Sequence, residues 1–199
     1  MKKPLFLFVG MSASGKTTIA NMLSEDGYSQ VWSYTTRPRR YDAEIGHTFV
    51  SKAEFDKLTD VVAYTNFNGY EYCTTLRQLE NADIYVVDPD GVKVLLDNYD
   101  KLNRKIFILY FNSNTYNRVK RMQIRGDNND KIVDRLLNDE QFNWGMALNS
   151  IIIDFYNQYG FIPADICYIK ADNALKDVYN EVRYRIEELK GCISNGYYY

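Results

Sequence analysis

Apolar residues in this chain come in two arrangements. Four unbroken runs, at 5–9, 84–87, 106–111 and 166–169, carry almost no polar side chain. A strand without a polar face is buried on both sides, the condition of a parallel sheet covered by helices. Between the runs, apolar residues recur every three or four positions, the helical period. Lys16–Glu25 reads as a helix ending near Gly27, whose lack of Cβ suits a left-handed terminus, and Ser113 can cap another through Ile124. After a polar break at 126–130, a segment starting around Lys131 carries Ile132, Leu136, Phe142 and Met146 at a spacing that suits one long helix, interrupted or not at Gly145. The closing helix, 175–190, places Leu175, Val178, Val182, Ile186 and Leu189 on one stripe. Strands alternating with helices predict an α/β fold built on a parallel core sheet.

The stretch from 34 to 82 breaks this rhythm. Val31-Trp32-Ser33 is a short candidate strand, followed by a polar, basic segment at 34–46 and by Thr48-Phe49-Val50. Ser51-Lys52-Ala53-Glu54 has the form of a capping box and starts a short helix through Leu58. The β-rich runs 61–67 and 70–73 are joined by Asn68-Gly69, the dipeptide most typical of a tight hairpin turn, and 76–81 is helical in pattern. The region reads as an insertion into the core. The segment 149–161, with Ile151-Ile152-Ile153 and several aromatics, is either core or an interface.

Bulk properties narrow the class. At 199 residues the chain is about one domain. Its net charge of −2 and pI near 5.5 give no reason to expect nucleic acid or an anionic membrane as the main partner. Cys73, Cys167 and Cys192 are odd in number, widely spaced and without a CxxC pair, which speaks against a disulfide framework or zinc site and for a reducing cytoplasm. Lys2 and Lys3 before the first apolar run imitate a signal peptide, but that run is short and ends in a glycine loop, so a soluble protein is expected. Asn195-Gly196 and three terminal tyrosines read as a frayed tail.

That glycine loop is the most informative segment. Gly10-Met11-Ser12-Ala13-Ser14-Gly15-Lys16-Thr17 is a complete G-x-x-x-x-G-K-[ST] motif, the P-loop, between a buried strand and a helix. Such a loop aims successive backbone N–H groups and a helix N-terminus at one point, where the phosphates of ATP can sit. Gly10, Ser12, Ala13, Ser14, Gly15, Lys16, Thr17 and Thr18 are the expected contacts, with Lys16 reaching the β- and γ-phosphates and the Thr17 hydroxyl binding Mg²⁺. Asp88 ends the strand run Ile84-Tyr85-Val86-Val87 at the sheet edge where the P-loop lies, and is a candidate Mg²⁺-side carboxylate; Asp90, just beyond it, can reach an acceptor molecule.

Phosphoryl transfer demands charge neutralisation, so arginines should gather here. Arg37, Arg39 and Arg40 flank Pro38 among hydroxyl residues, a fork suited to a monophosphate, though equally a solvated basic loop. Arg118, Arg121 and Arg125 share a helical stripe, with Arg135 after the polar break, as in a mobile lid closing over a triphosphate.

In this order the motifs resemble those of guanylate kinases, the P-loop nucleoside monophosphate kinases that pass the γ-phosphate of ATP to GMP. The resemblance runs from about residue 5 to 189. It is carried by the P-loop, Ser33-x-Thr35-Thr36-Arg37 with Arg40, Phe49-Val50-Ser51 followed by Glu54-Phe55, Gly69-x-x-Tyr72, and the series Arg121, Arg125-Gly126, Arg135. It implies a P-loop NTPase-type three-layer fold with core segments 1–33, 83–111 and 141–190, an NMP-binding insertion at 34–82, an arginine-bearing lid at 112–140 and a flexible tail at 191–199. It implies too that Arg37, Arg40 and Tyr72 hold the acceptor phosphate with Ser33 and Thr74 nearby, that Lys16, Arg121, Arg125 and Arg135 stabilise the transferring group, and that the enzyme is a monomer or weak homodimer.

Departures fall on the acceptor side. Ala63 stands where the family places a glutamate that accepts the guanine ring N–H and amino protons. His47 replaces a phosphate-contacting tyrosine, Cys73 follows Tyr72 in place of glycine, and Asp88-Pro89-Asp90-Gly91 shortens a D-x-D-x-x-G segment in which Asp90 would read the base. Asn66, Glu71 and Glu44 are candidate replacement contacts. GMP or dGMP is the default acceptor; another nucleotide or a sugar phosphate, or a silent binding module of the same fold, are the alternatives.

Overall fold

The computed structural model of the chain describes residues 3–39, 42–67, 69–141, 144–160 and 164–194. In chain order the elements are β1 (Leu5–Val9), α1 (Lys16–Glu25), β2 (Tyr34–Thr35), β3 (Thr48–Phe49), α2 (Lys52–Phe55), β4 (Val61–Phe67), β5 (Tyr70–Thr75), α3 (Leu76–Leu79), β6 (Ile84–Val86), α4 (Pro89–Asp97), α5 (Tyr99–Leu102), β7 (Ile106–Asn112), α6 (Thr115–Ile124), α7 (Asn129–Gln141), α8 (Trp144–Tyr159), β8 (Ala164–Lys170) and α9 (Leu175–Ser194).

The four apolar runs form one parallel sheet in the order β6-β1-β7-β8. Alternate side chains of each strand feed opposite cores. Leu5, Leu7, Val9, Ile106 and Ile108 pack with Val92, Leu95, Leu148 and Phe155 from α4 and α8. Phe6, Phe8, Phe107, Leu109 and Phe111 pack with Ile19, Leu23, Val178, Val182 and Ile186 from α1 and α9. The result is a three-layer helix–sheet–helix sandwich, as the unbroken apolar runs require.

Residues 34–75 build a second sheet, β3-β2-β5-β4, in which only the β2–β3 pair is parallel. The β4–β5 hairpin turns at Gly69, φ +78°, while Asn68 lies outside the described residues. The capping box at α2 is formed, with Ser51 N–H donating to Glu54 Oε2 at 2.8 Å and the Ser51 hydroxyl accepting from Glu54 N–H. Arg104, buried before β7, ties the core together by donating to the carbonyls of Lys3, Pro4, Leu79 and Ala82.

Several boundaries differ from the sequence expectation. Residues 31–33 are not a strand; Val31 N–H reaches Ile84 O beside the core, and pairing in the second sheet begins only at Tyr34. The segment after the polar break is helical over α7 and α8, as the apolar spacing suits, with Phe142 and Asn143 between them outside the described residues. Met146, expected on the apolar stripe, is 68% exposed. The 149–161 segment falls mainly on α8 and belongs to the core through Phe155, with Ile151 and Ile152 packed against it, whereas Ile153 faces out. The closing helix continues past Gly191 to Ser194, so residues 191–194 are helical rather than tail; the tyrosines after Gly196 lie outside the described residues.

Candidate active site

The P-loop bends from β1 into α1 through conformations that restrict its residues. At Gly10, φ +151°, a Cβ would stand 2.6 Å from Phe111 O on the adjacent strand, so only glycine lets the loop leave the sheet here. Ala13 at φ +60° and Gly15 at φ +100° turn the chain so that Gly15 becomes the N-cap of α1. Ser14 is buried, whereas Thr17 and Thr18 open α1 as exposed residues.

Lys16 folds back across the loop. Its Nζ donates to Gly10 O at 2.5 Å, Met11 O at 2.8 Å and Ser14 Oγ at 3.3 Å. Burial pulls its pKa down to about 8 even though Asp139 opposes the shift. A lysine desolvated in this way gains most from an anion arriving beside it. Asp88 caps α4 by accepting from Gly91 N–H at 2.7 Å, and burial holds its carboxyl above the usual carboxylate value. Strand β6 thus stops at Val86, and the acid two residues on serves as an N-cap at the sheet edge.

The α6–α7 pair brings its arginines to this edge in different ways. Arg121 Nη1 stands 3.3 Å from Ala13 O and Nη2 donates to Ala171 O at 2.5 Å, so it lies over the P-loop. Arg125 and Arg135 share one carboxylate, Asp127: Arg125 donates to it directly and Arg135 Nε is 3.6 Å away. Burial and the charge of Arg125 lower the pKa of Arg135. Arg118 lies inward, 2% exposed, against Asp139.

Beside the second sheet, Ser33 before β2 and His47 before β3 meet Tyr72 of β5. Ser33 Oγ and His47 Nδ1 are 2.9 Å apart, and the His47 and Tyr72 rings meet edge-on at 5.6 Å. Arg37 is 8% exposed and forked onto Glu44, with Nη2 to Oε1 at 2.8 Å and Nη1 to Oε2 at 3.2 Å. Burial disfavours its charge, but Glu44 and Tyr72 outweigh that and raise its pKa. Arg39 covers the Phe49 ring and donates to Glu44 O, while Arg40 lies outside the described residues. Thr74 is fully buried and donates to Tyr85 Oη at 2.6 Å, so it positions Tyr85. Burial pushes the neighbouring Cys73 thiol up to about 11.

One cavity of about 310 Å³ connects the P-loop to the Ser33–His47–Tyr72 group, while Thr17, Arg37, Arg121, Arg125 and Arg135 are not among the residues that line it. Gly10, Ser12, Lys16 and Asp88 line one end, Ser33, His47 and Tyr72 another, and Ala63, Asn66, Asp90, Asn138 and Trp144 the remaining wall. Of the replacement contacts, Asn66 reaches this wall. Glu44 is spent on Arg37, and Glu71 pairs with Lys52 at 2.6 Å. Asp139, Tyr85 and Trp144 also line the cavity and carry no sequence signal beyond an unremarkable polar or aromatic position, Asp139 on α7, Tyr85 in β6 and Trp144 at the start of α8. Among the described residues no group of three or more His, Cys, Asp or Glu could hold a metal ion, and no helix is long and apolar enough to cross a membrane.

The parallel β6-β1-β7-β8 sheet with a glycine loop between β1 and α1 is a P-loop NTPase-type fold. A guanylate kinase from Anaplasma phagocytophilum superposes with a TM-score of 0.57 at 14% identity, over 95% of this chain and 87% of that one. A deoxyadenosine kinase from M. mycoides with bound dATP gives 0.44 at 17% identity, over 94% and 100%. A de novo designed protein of P-loop NTPase fold gives 0.41 at 9%, over 100% and 99%. No family model matches the sequence, and no curated protein does.

Proposed function

We propose that the protein is an ATP- and Mg²⁺-dependent nucleoside monophosphate kinase of the guanylate kinase type, with GMP or dGMP as acceptor. One observation carries this reading: the P-loop lysine and the Ser33–His47–Tyr72 group open into the same cavity. Two anionic substrates meeting end to end need such a layout. The likeness in fold to a guanylate kinase supports it.

In this reading the P-loop N–H groups and Lys16 hold the β- and γ-phosphates, and Lys16 gives up the Gly10 and Met11 carbonyls to do so. The Thr17 hydroxyl and Asp88 are oxygen donors suited to a hard cation, and Mg²⁺ when bound supplies charge neutralisation between phosphates. Arg37, Tyr72, Ser33 and His47, with Arg40, orient the acceptor monophosphate; Thr74 acts through Tyr85. Asp90 at the start of α4 faces the base. Transfer is in line and needs no general base, because an acceptor phosphate is already anionic. Arg121, Arg125 and Arg135 close over the migrating group, the latter two exchanging Asp127 for phosphate, and water is thereby excluded.

The test is ADP release from Mg-ATP on addition of GMP by the wild type and by Lys16→Ala. Transfer by the wild type that the variant lacks is expected; equal turnover by the two proteins would overturn the assignment. A second reading rests on Ala63, which lines the cavity without offering a carboxylate to guanine. It keeps the chemistry and moves the acceptor to another nucleotide or a sugar phosphate, in which case the turnover appears with that acceptor instead.

A further inference from the structure

Arg118 heads the fully buried side chains by size, yet its surroundings match it poorly. Nη1 donates to the Met11 sulfur, a weak acceptor, Nη2 stands 3.3 Å from Asp139 Oδ2, and Nε has no hydrogen-bond partner among the described residues. Lys16 is near enough to sense the charges of Arg118, Asp139 and Asp88, so two cations share this corner of the P-loop with two carboxylates, of which Asp139 acts on Lys16 the more strongly. The Asp139 carboxylate sits on the loop itself. Asp139 accepts from Ser12 N–H at 3.0 Å and from the Ser12 hydroxyl at 3.2 Å. A P-loop N–H facing an anion clasped by arginine is a phosphate position filled by the chain's own side chain.

A buried guanidinium with one long ion pair, a sulfur contact and an orphan nitrogen is a costly structural device. A phosphate group, with several acceptor oxygens, would satisfy all of it. We propose that Arg118 is a further phosphate-binding residue and that Asp139 is its stand-in anion in the nucleotide-free protein. When Mg-ATP enters, Asp139 leaves Ser12 N–H and Arg118 exchanges the carboxylate for a phosphate oxygen. Because α6 and α7 carry the two residues, the same exchange couples nucleotide entry to movement of that helix pair. This inference rests on the ATP site proposed above.

Mg-ATP is titrated calorimetrically into the wild type, Asp139→Asn, and Asp139→Asn with Arg118→Gln. Asp139→Asn removes the competing charge and should tighten binding by about threefold or more; adding Arg118→Gln should then weaken it by about tenfold, the worth of a charged hydrogen bond. A merely structural pair would weaken binding in both variants or change it in neither, and either result overturns the proposal. A second readout needs no change to the pair. Trp144 Nε1 donates to Asp139 O at 3.1 Å, so in a Trp32→Phe protein its emission should shift on saturation with Mg-ATP; unchanged emission at saturation counts against the exchange. Absence of Mg-ATP binding by the wild type would remove the kinase reading itself, whereas normal wild-type binding with an unaffected double variant removes only the role of Arg118 and Asp139.

Discussion

The two ends of the cavity are built from different materials. At the β1–α1 end the groups proposed to hold phosphate are mostly backbone N–H groups, on a loop shaped by glycine geometry and by the close approach of Gly10 to Phe111. At the second-sheet end they are side chains whose positions depend on one another: Arg37 on Glu44, Ser33 on His47, His47 on Tyr72. A backbone cradle tolerates change in its surroundings and binds the part of a nucleotide that never varies. A side-chain network is where specificity can drift, and Ala63, His47 and Cys73, the positions at which the sequence departs from the guanylate kinases it resembles, fall on this side.

Lys16→Ala should break the first end alone. Transfer should fall by about a thousandfold or more, as for loss of a main electrostatic stabiliser, while the melting temperature stays within about 2 °C of wild type. The stability is spared because Lys16 is desolvated in the free protein and its hydrogen bonds, among the described residues, are to its own loop. Thermal melts run beside a transfer assay check both halves.

Arg37→Met should break the second end in both respects. Its guanidinium is proposed to orient the acceptor phosphate, so the acceptor KM should rise about a hundredfold. Glu44, 4% exposed, loses its forked arginine at the same time, and such losses cost about 3–5 kcal/mol. Steady-state kinetics with a denaturant titration would show the paired loss; an acceptor KM that does not move would detach Arg37 from the acceptor.

Ala63→Glu sharpens the comparison by restoring a carboxylate on the cavity wall. If guanine is the base, GMP use should improve by about tenfold in kcat/KM, because a site that pairs polar donors discriminates strongly. No gain would mean that another residue, such as Asn66 or Asp90, already reads it.

The smallest expected effect concerns Cys73. With the thiol raised to about 11 by burial, roughly one part in a thousand is thiolate at pH 8. Iodoacetamide at pH 8 should therefore leave Cys73 and the transfer rate intact, and its labelling should rise only as pH climbs toward 11. Peptide mapping after alkylation reads this; rapid loss of activity with Cys73 labelled at pH 8 would contradict it.

How far the sequence was legible follows the same division. Buried strands announce themselves as unbroken apolar runs, and the P-loop as a local motif, because both depend on neighbours in the chain. The hairpin turn and the α2 capping box were legible for the same reason. The Arg37–Glu44 fork, 7 residues apart, was half visible: the arginine by motif, the acid only as a stray candidate. Asp139, 127 residues from the Ser12 it touches, was invisible, since nothing local marks a polar residue on α7 as facing a distant loop. Arg118 stood on the arginine stripe, but helical spacing does not tell a buried arginine from a solvated one.

The most direct test is product identification after incubating Mg-ATP with GMP, dGMP, AMP, CMP, UMP and dTMP in turn, using chromatography to resolve each nucleoside diphosphate. The account predicts ADP together with GDP or dGDP in equal amounts, and none of either with Lys16→Ala. ADP formed without the acceptor's own diphosphate for GMP, dGMP, CMP, UMP and dTMP alike, or diphosphate formed equally well by Lys16→Ala, would contradict a kinase in which the P-loop and the second sheet hold two nucleotides in one cavity.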